Sequence, residues 1–165
     1  MAPAVSFVSL TGSQVLTRFN RIVDHLDHWG DVIARDAGRA TERRMLEFAV
    51  LAPGGGLAVE VRELFREHYA RNRAGDWDIV KYTYEYLDIS HSARLAFHVH
   101  DIGARKRVAH AHCEESVDIP DEERSAHLRS VEYEIREAHD AFMHLYAAGG
   151  TPDCTGYLPL EIDRT

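Results

Sequence analysis

Four histidines recur as two spaced pairs. His98 and His100 sit in Phe97-His98-Val99-His100, and His110 and His112 sit in His110-Ala111-His112-Cys113. Side chains alternate across a β-strand, so residues two apart share a face. Read as strands over 94–100 and 107–114, both segments carry histidines on one face. Leu95, Phe97 and Val99 take the opposite face of the first strand, and Ala109, Ala111 and Cys113 that of the second. The connection is short, from Asp101 to Lys106. A hairpin symmetric about Arg105 pairs His100 with His110 and His98 with His112. Directly opposed Cβ atoms lie ~4.5–5.5 Å apart, so the four imidazoles form a compact square. A one-residue slip would part the pairs and expose an apolar face.

Two chemistries suit such a face. Imidazole titrates near neutrality, so one histidine can act as base and its opposite number as acid. Applied to RNA, one ring takes the ribose 2′-hydroxyl proton and the other protonates the leaving oxygen, without a metal. Imidazole also binds divalent ions, and three or four rings satisfy the tetrahedral preference of Zn²⁺ or hold another divalent ion without turnover. A solvated histidine-rich face is the third reading, since the chain holds 11 histidines. The sequence leaves the three open. Arg105, Lys106 and Arg107 flank the cluster and are candidates to hold a phosphate. Tyr84, from the Tyr82, Tyr84, Tyr86 stripe, is a candidate to stack on a base or donate a hydrogen bond, although the stripe reads mainly as core. Lys81 and Glu85 neighbour the histidines only in the other register of the preceding hairpin. Cys113 reads as a small buried residue. Gly54-Gly55-Gly56 lacks the Gly-Lys-Ser/Thr of a phosphate loop.

Thr11 or Ser13 caps a first helix, in which Val15, Phe19, Ile22, Val23 and Leu26 recur at helical spacing up to about Trp29. Residues 31–43 are polar, and Asp36-Ala37-Gly38 looks like a loop. Arg44 to Ala52 is an apolar run that Pro53 and three glycines turn back, as in a hairpin. The next strand runs from Leu57 to about Tyr69, in preference to a helix over its second half. Gly75-Asp76 turns into Trp77–Asp88, whose period-2 pattern is a strong strand signal. Asp118-Ile119-Pro120-Asp121 then breaks the sheet and opens a long helix. Leu128, Val131, Ile135, Ala138, Phe142 and Leu145 form its apolar stripe, and Gly149-Gly150 stops it. Tyr157, Leu158, Leu160 and Ile162 suit a short docked tail. The expectation is one α+β domain over residues 1–165: an N-terminal helix, about five antiparallel strands in a meander, and a long C-terminal helix on the sheet.

Length bounds this reading. The chain has 165 residues, the size of one domain with a sizeable core. No run approaches the ~18 apolar residues of a membrane helix, so no membrane partner is expected. Met1-Ala2-Pro3-Ala4-Val5 lacks the basic-then-apolar pattern of a signal peptide. Cys113 and Cys154 are too few for a disulfide framework. A reducing cytoplasm is therefore expected. The net charge of −8 lies in residues 114–165, which carry −9, against 0 over residues 1–50 and +1 over 51–113. That balance excludes broad electrostatic binding of nucleic acid and leaves only the local basic turn.

Residues 45–145 resemble the TumE family, the toxin halves of small bacterial toxin–antitoxin pairs. The resemblance is carried by Gly54-Gly55-Gly56-Leu57-Ala58-Val59-Glu60-Val61-Arg62-Glu63, by Val80-Lys81-Tyr82-Thr83-Tyr84-Glu85-Tyr86-Leu87-Asp88 and by His110-Ala111-His112, with a Glu-rich helix after them. The family's Arg-Tyr-Asp-Asn-Ala-Pro-His-His stretch is replaced by Ala96-Phe97-His98-Val99-His100-Asp101, so only the histidines and Asp101 carry over. The resemblance implies a growth-inhibiting protein acting on RNA and neutralised by a cognate antitoxin. The acidic helix face (Glu122, Glu123, Glu132, Glu134, Glu137, Asp140) would then seat a basic antitoxin segment, or a homodimer contact through exposed Tyr133 and Met143. Either association would weaken with salt.

Overall fold

Thr11 starts the first helix. Its hydroxyl accepts from the Gln14 amide at 3.2 Å, and the Gln14 side chain accepts from the Thr11 amide at 2.8 Å. This reciprocal capping satisfies amides that have no partner within the helix. The helix, α1 (Gly12–Leu26), is followed by six long strands: β1 (Asp31–Ala40), β2 (Arg43–Leu51), β3 (Val61–Arg71), β4 (Trp77–Asp88), β5 (Ala93–Ile102) and β6 (Arg105–Glu114). Two short strands, β7 (Ser125–Leu128) and β8 (Leu158–Pro159), flank the second helix, α2 (Ile135–Ala147). The structure, a computed structural model, describes residues 9–40, 42–51, 57–102, 105–114, 125–128, 134–150, 152 and 158–159. All the strands join one sheet in sequence order, and each neighbouring pair is antiparallel. The expected α+β meander is present, with six long strands in place of five.

The extra strand is β1, in the segment expected to be a loop. Its polar residues are cross-strand partners. Arg35 lies opposite Glu47 and bonds it at 2.8 Å, and Asp36 bonds Arg44. Val32 and Ala34 share the face of Asp36, alternate with Arg35 and pack on the core. Gly30 permits the entry into β1, since a Cβ there would meet the Leu51 carbonyl oxygen at 2.4 Å. The strand expected from Leu57 begins at Val61, and alternate burial from Val61 to Tyr69 shows strand, not helix. The C-terminal helix is shorter than expected, at 13 residues. Leu128, placed on its stripe by spacing, instead lies in β7 opposite His110. The exposed edge of β6 recruits that segment as a strand. The expected helix start at 118–121 and Val131 lie outside the described residues, as do Gly54 to Gly56. Gly149 and Gly150 end α2 with φ of 108° and 81°, as expected.

Both helices lie on one face of the sheet. Val15, Ile22 and Leu26 of α1 and Ile135, Ala138 and Phe142 of α2 are buried there. The Phe142 ring meets Phe65 and Tyr86 at 5.9 Å and stacks on Phe97 at 5.6 Å. Met143 is also buried, so the surface role expected for it is corrected. Tyr133, Glu122, Glu123 and Glu132 lie outside the described residues. Cys113 is buried on this face, as expected, and is disulfide-bonded, which a reducing cytoplasm does not favour. Among the described residues no helix is long and apolar enough to cross a membrane.

The same face buries charge. Glu67 is 0% exposed. It accepts from Arg18 at 3.1 and 2.6 Å, from the Tyr69 hydroxyl at 2.5 Å and from the Tyr84 hydroxyl at 2.7 Å. Tyr84 is therefore core, with its hydroxyl engaged, and is corrected as a substrate-binding residue. Burial alone would raise the Glu67 carboxyl, but Arg18 and the two tyrosines hold it below the ordinary range.

Removing one member of a buried ion pair typically costs ~3–5 kcal/mol, because the other charge is left unpaired. Arg18→Met should cost about that much in urea unfolding, and Arg18→Met/Glu67→Gln should recover part of it while keeping an acceptor for both tyrosines. An unshifted midpoint in the single variant would refute the pairing. A carboxyl lowered in the folded state stabilises fully above its unfolded value and loses that contribution as pH falls through the folded value. The wild type should therefore lose stability below about pH 4, and the double variant less steeply.

Candidate functional site

The outer face of the sheet, away from the helices, carries the histidines. β4, β5 and β6 bring Thr83, His98 and His110 side by side, since Thr83 lies opposite His98 and His98 opposite His110. His112 faces Ala96, and His100 faces Val108. The expected face is kept, but the expected pairing is off by two residues. The turn is the reason: Ile102 pairs with Arg105, with an irregularity between His100 and Ile102, so the hairpin is not centred on Arg105. A two-residue shift preserves the faces.

The square becomes a triangle with a neighbour. His98, His110 and His112 each offer a nitrogen within 4.8 Å of the others. Their ring centroids lie 5.3 Å apart for His98–His110, 4.8 Å for His98–His112 and 4.9 Å for His110–His112. His100 stands beside His110 at 4.7 Å but outside that set. Beside His100 is a groove of about 620 Å³ lined by Val80, Lys81, His100 and Asp101. Lys81 reaches it by alternation from Glu85 and Thr83, and a bulge of β4 against β3 just beyond it turns Ile79 inward and Val80 outward. Arg105, Lys106 and Arg107 form the start of β6; their side chains lie outside what the structure describes.

Glu85 belongs to this face, contrary to the expectation for the preceding hairpin. Thr83 opposite His98 and Glu85 opposite Ala96 place the Glu85 Oε1 3.4 Å from His98 Nε2. Arg94 also binds Glu85. Burial opposes its charge, yet His98 and Arg94 bring the Glu85 carboxyl down to about 2. The signal lay in the turn after Asp88. Asp88 binds the Ser90 hydroxyl at 2.7 Å and the His91 amide at 3.2 Å, closing a four-residue connection that sets the register.

Local bonds set the imidazoles. His110 Nδ1–H donates to the Val108 carbonyl at 3.2 Å, and His100 Nδ1–H donates to the Asp101 carbonyl at 2.8 Å. Each leaves Nε2 as the lone-pair nitrogen, the tautomer that a carbonyl partner selects at metal sites. His110 is only 2% exposed. Burial holds it at about 4, with His98 and His100 adding to the effect and the Val108 carbonyl opposing it. His98 is also lowered, first by burial, which Glu85 offsets only in part.

The chain matches no protein-family model, no curated protein and no solved structure. The chemistry of the face is read from its geometry alone.

In metal-free protein, the His110 ring should titrate near 4 by side-chain NMR, well below the ordinary ~6.5. A midpoint at the ordinary value would show that the ring is solvated and the face is not preformed.

Proposed function

We propose that this protein binds a divalent transition-metal ion, with Zn²⁺ the best fit, through His98, His110 and His112. One observation carries the reading: three imidazole nitrogens from two adjacent strands converge within 4.8 Å. Zn–N bonds of ~2.0–2.1 Å in a tetrahedron place ligand nitrogens ~3.3 Å apart, which small side-chain rotations reach from here. Metal binding needs neutral imidazole, and burial keeps His98 and His110 unprotonated near neutrality. Glu85 orients His98 in the way outer carboxylates support metal-bound histidines.

Three ligands leave one tetrahedral position for water or a substrate oxygen. The toxin-like reading, a ribonuclease neutralised by an antitoxin, is compatible with such a centre and uses the same face. Its metal-free form asks for a protonated imidazole as acid near neutrality. The lowered His98 and His110 supply bases, which favours the metal-assisted form. His100 and Lys81, beside the groove, are then the residues placed to meet a substrate.

Calorimetry on protein prepared without an affinity tag should show one Zn²⁺ per chain. His110→Ala and His112→Ala should each weaken binding by more than the ~10–100-fold typical of outer partners, while His100→Ala should weaken it much less. Equal affinity across all three variants would contradict the ligand set. RNA cleavage, where observed, should stop with a chelator and return with Zn²⁺. Cleavage that persists in chelator would return the face to acid–base chemistry.

A further inference from the structure

The helix side of the sheet holds a second constellation, which the metal reading does not use. Glu63 is fully buried, and both its carboxylate oxygens lie 2.9 Å from His139 Nδ1. That contact turns His139 Nε2 away from the carboxylate. His139 is 1% exposed, and its Nε2 is buried with no hydrogen-bond partner. His25 Nε2 is in the same condition. The two rings meet edge to face at 5.2 Å, with Trp29 at 5.4 Å from His139. A buried polar atom without a partner costs ~1–3 kcal/mol. Two such atoms sit on touching rings, and one of the rings borders a cavity.

His25 also lines a cleft of about 760 Å³ between α1 and the start of α2. Small-molecule sites typically measure ~300–1,000 Å³. Arg18, Arg21 and Arg136 line this cleft, against Glu134 as its one acidic residue among the described residues. Arg18 is committed to Glu67, whereas Arg21 and Arg136 are exposed. The chain carries −8 overall, so the sign of this cleft runs against the molecule. A concave surface lined by one sign of charge concentrates ions of the other. Leu10, Ile22 and Ile135 supply apolar walls.

We propose that this cleft is a second binding site, for a small organic anion bearing a carboxylate or a phosphate. Arg21 and Arg136 grip the oxyanion and His25 hydrogen-bonds it, while Glu63 holds His139 against the His25 ring behind the cleft. Guanidinium groups match both oxyanions in bidentate geometry. The site lies on the opposite side of the sheet from His98, His110 and His112, so each reading stands or falls separately.

The test is side-chain ¹⁵N NMR of the imidazoles in the full chain at constant neutral pH. Inorganic phosphate and acetate are titrated separately, with sodium chloride at matched ionic strength as control. One or both anions should shift His25 saturably, with any change at His139 following through its contact with that ring. Arg21→Gln/Arg136→Gln, at two exposed positions, should weaken that response by roughly tenfold or more, the worth of one charge-assisted hydrogen bond. Saturation by phosphate alone assigns a phosphate ligand, and by acetate alone a carboxylate. Shifts that stay linear, match chloride, or persist unchanged in the folded double variant overturn the proposal.

Discussion

Phe142 of α2 lies nearly flat on Phe97 of β5, with an interplanar angle of 14°, and that contact decides which way β5 faces. Phe97 and Val99 turn inward under the helix, as do Ala111 and Cys113 on β6. His98, His110 and His112 must then turn outward together. Large-to-small change at a buried Phe typically costs ~3–5 kcal/mol, a large share of the ~5–15 kcal/mol that holds a domain folded. The histidine face is thus held by packing on the other side of the sheet.

Two carboxylates sharpen this arrangement. Glu63 and Glu67 alternate along β3 with Val61, Phe65 and Tyr69, all on the helix side. Each buried carboxylate needs a specific partner, and those partners come from different helices: Arg18 from α1 and His139 from α2. A helix displaced along the sheet would strand a buried charge, which is far costlier than a loosened apolar contact. Burial pushes the Glu63 carboxyl up against the opposing effect of His139, whereas Arg18 and two tyrosines keep Glu67 low. The two helices are therefore located by polar contacts as well as by Phe142, Val15 and Leu26.

Period-2 alternation gave the bounds of β4 to the residue, though not the bulge that exchanges the faces of Ile79 and Val80, and it placed the four histidines on one face. It could not place β1, because Arg35 and Asp36 look like loop residues when read without Glu47 and Arg44, their partners on β2. Pairing within the hairpin depended on a turn whose geometry spacing does not specify, so the register came out two residues away. The same limit hid Glu85, whose approach to His98 depends on how Asp88 closes the preceding turn. Tyr84 misled for a related reason: a tyrosine stripe reads alike whether its hydroxyls meet solvent or, as here, a buried glutamate. The cleft beside His25 had no sequence signal, since its residues come from two helices over 100 positions apart in the chain.

X-ray absorption at the zinc edge, on untagged protein carrying whatever metal it acquires in the cell, tests the central claim most directly. The account predicts a near-stoichiometric divalent metal with about three imidazole nitrogens at ~2.0–2.1 Å and one further light ligand. Those imidazole shells should vanish in His110→Ala/His112→Ala. Protein that is metal-free, and whose added zinc shows an oxygen-only shell, would contradict it.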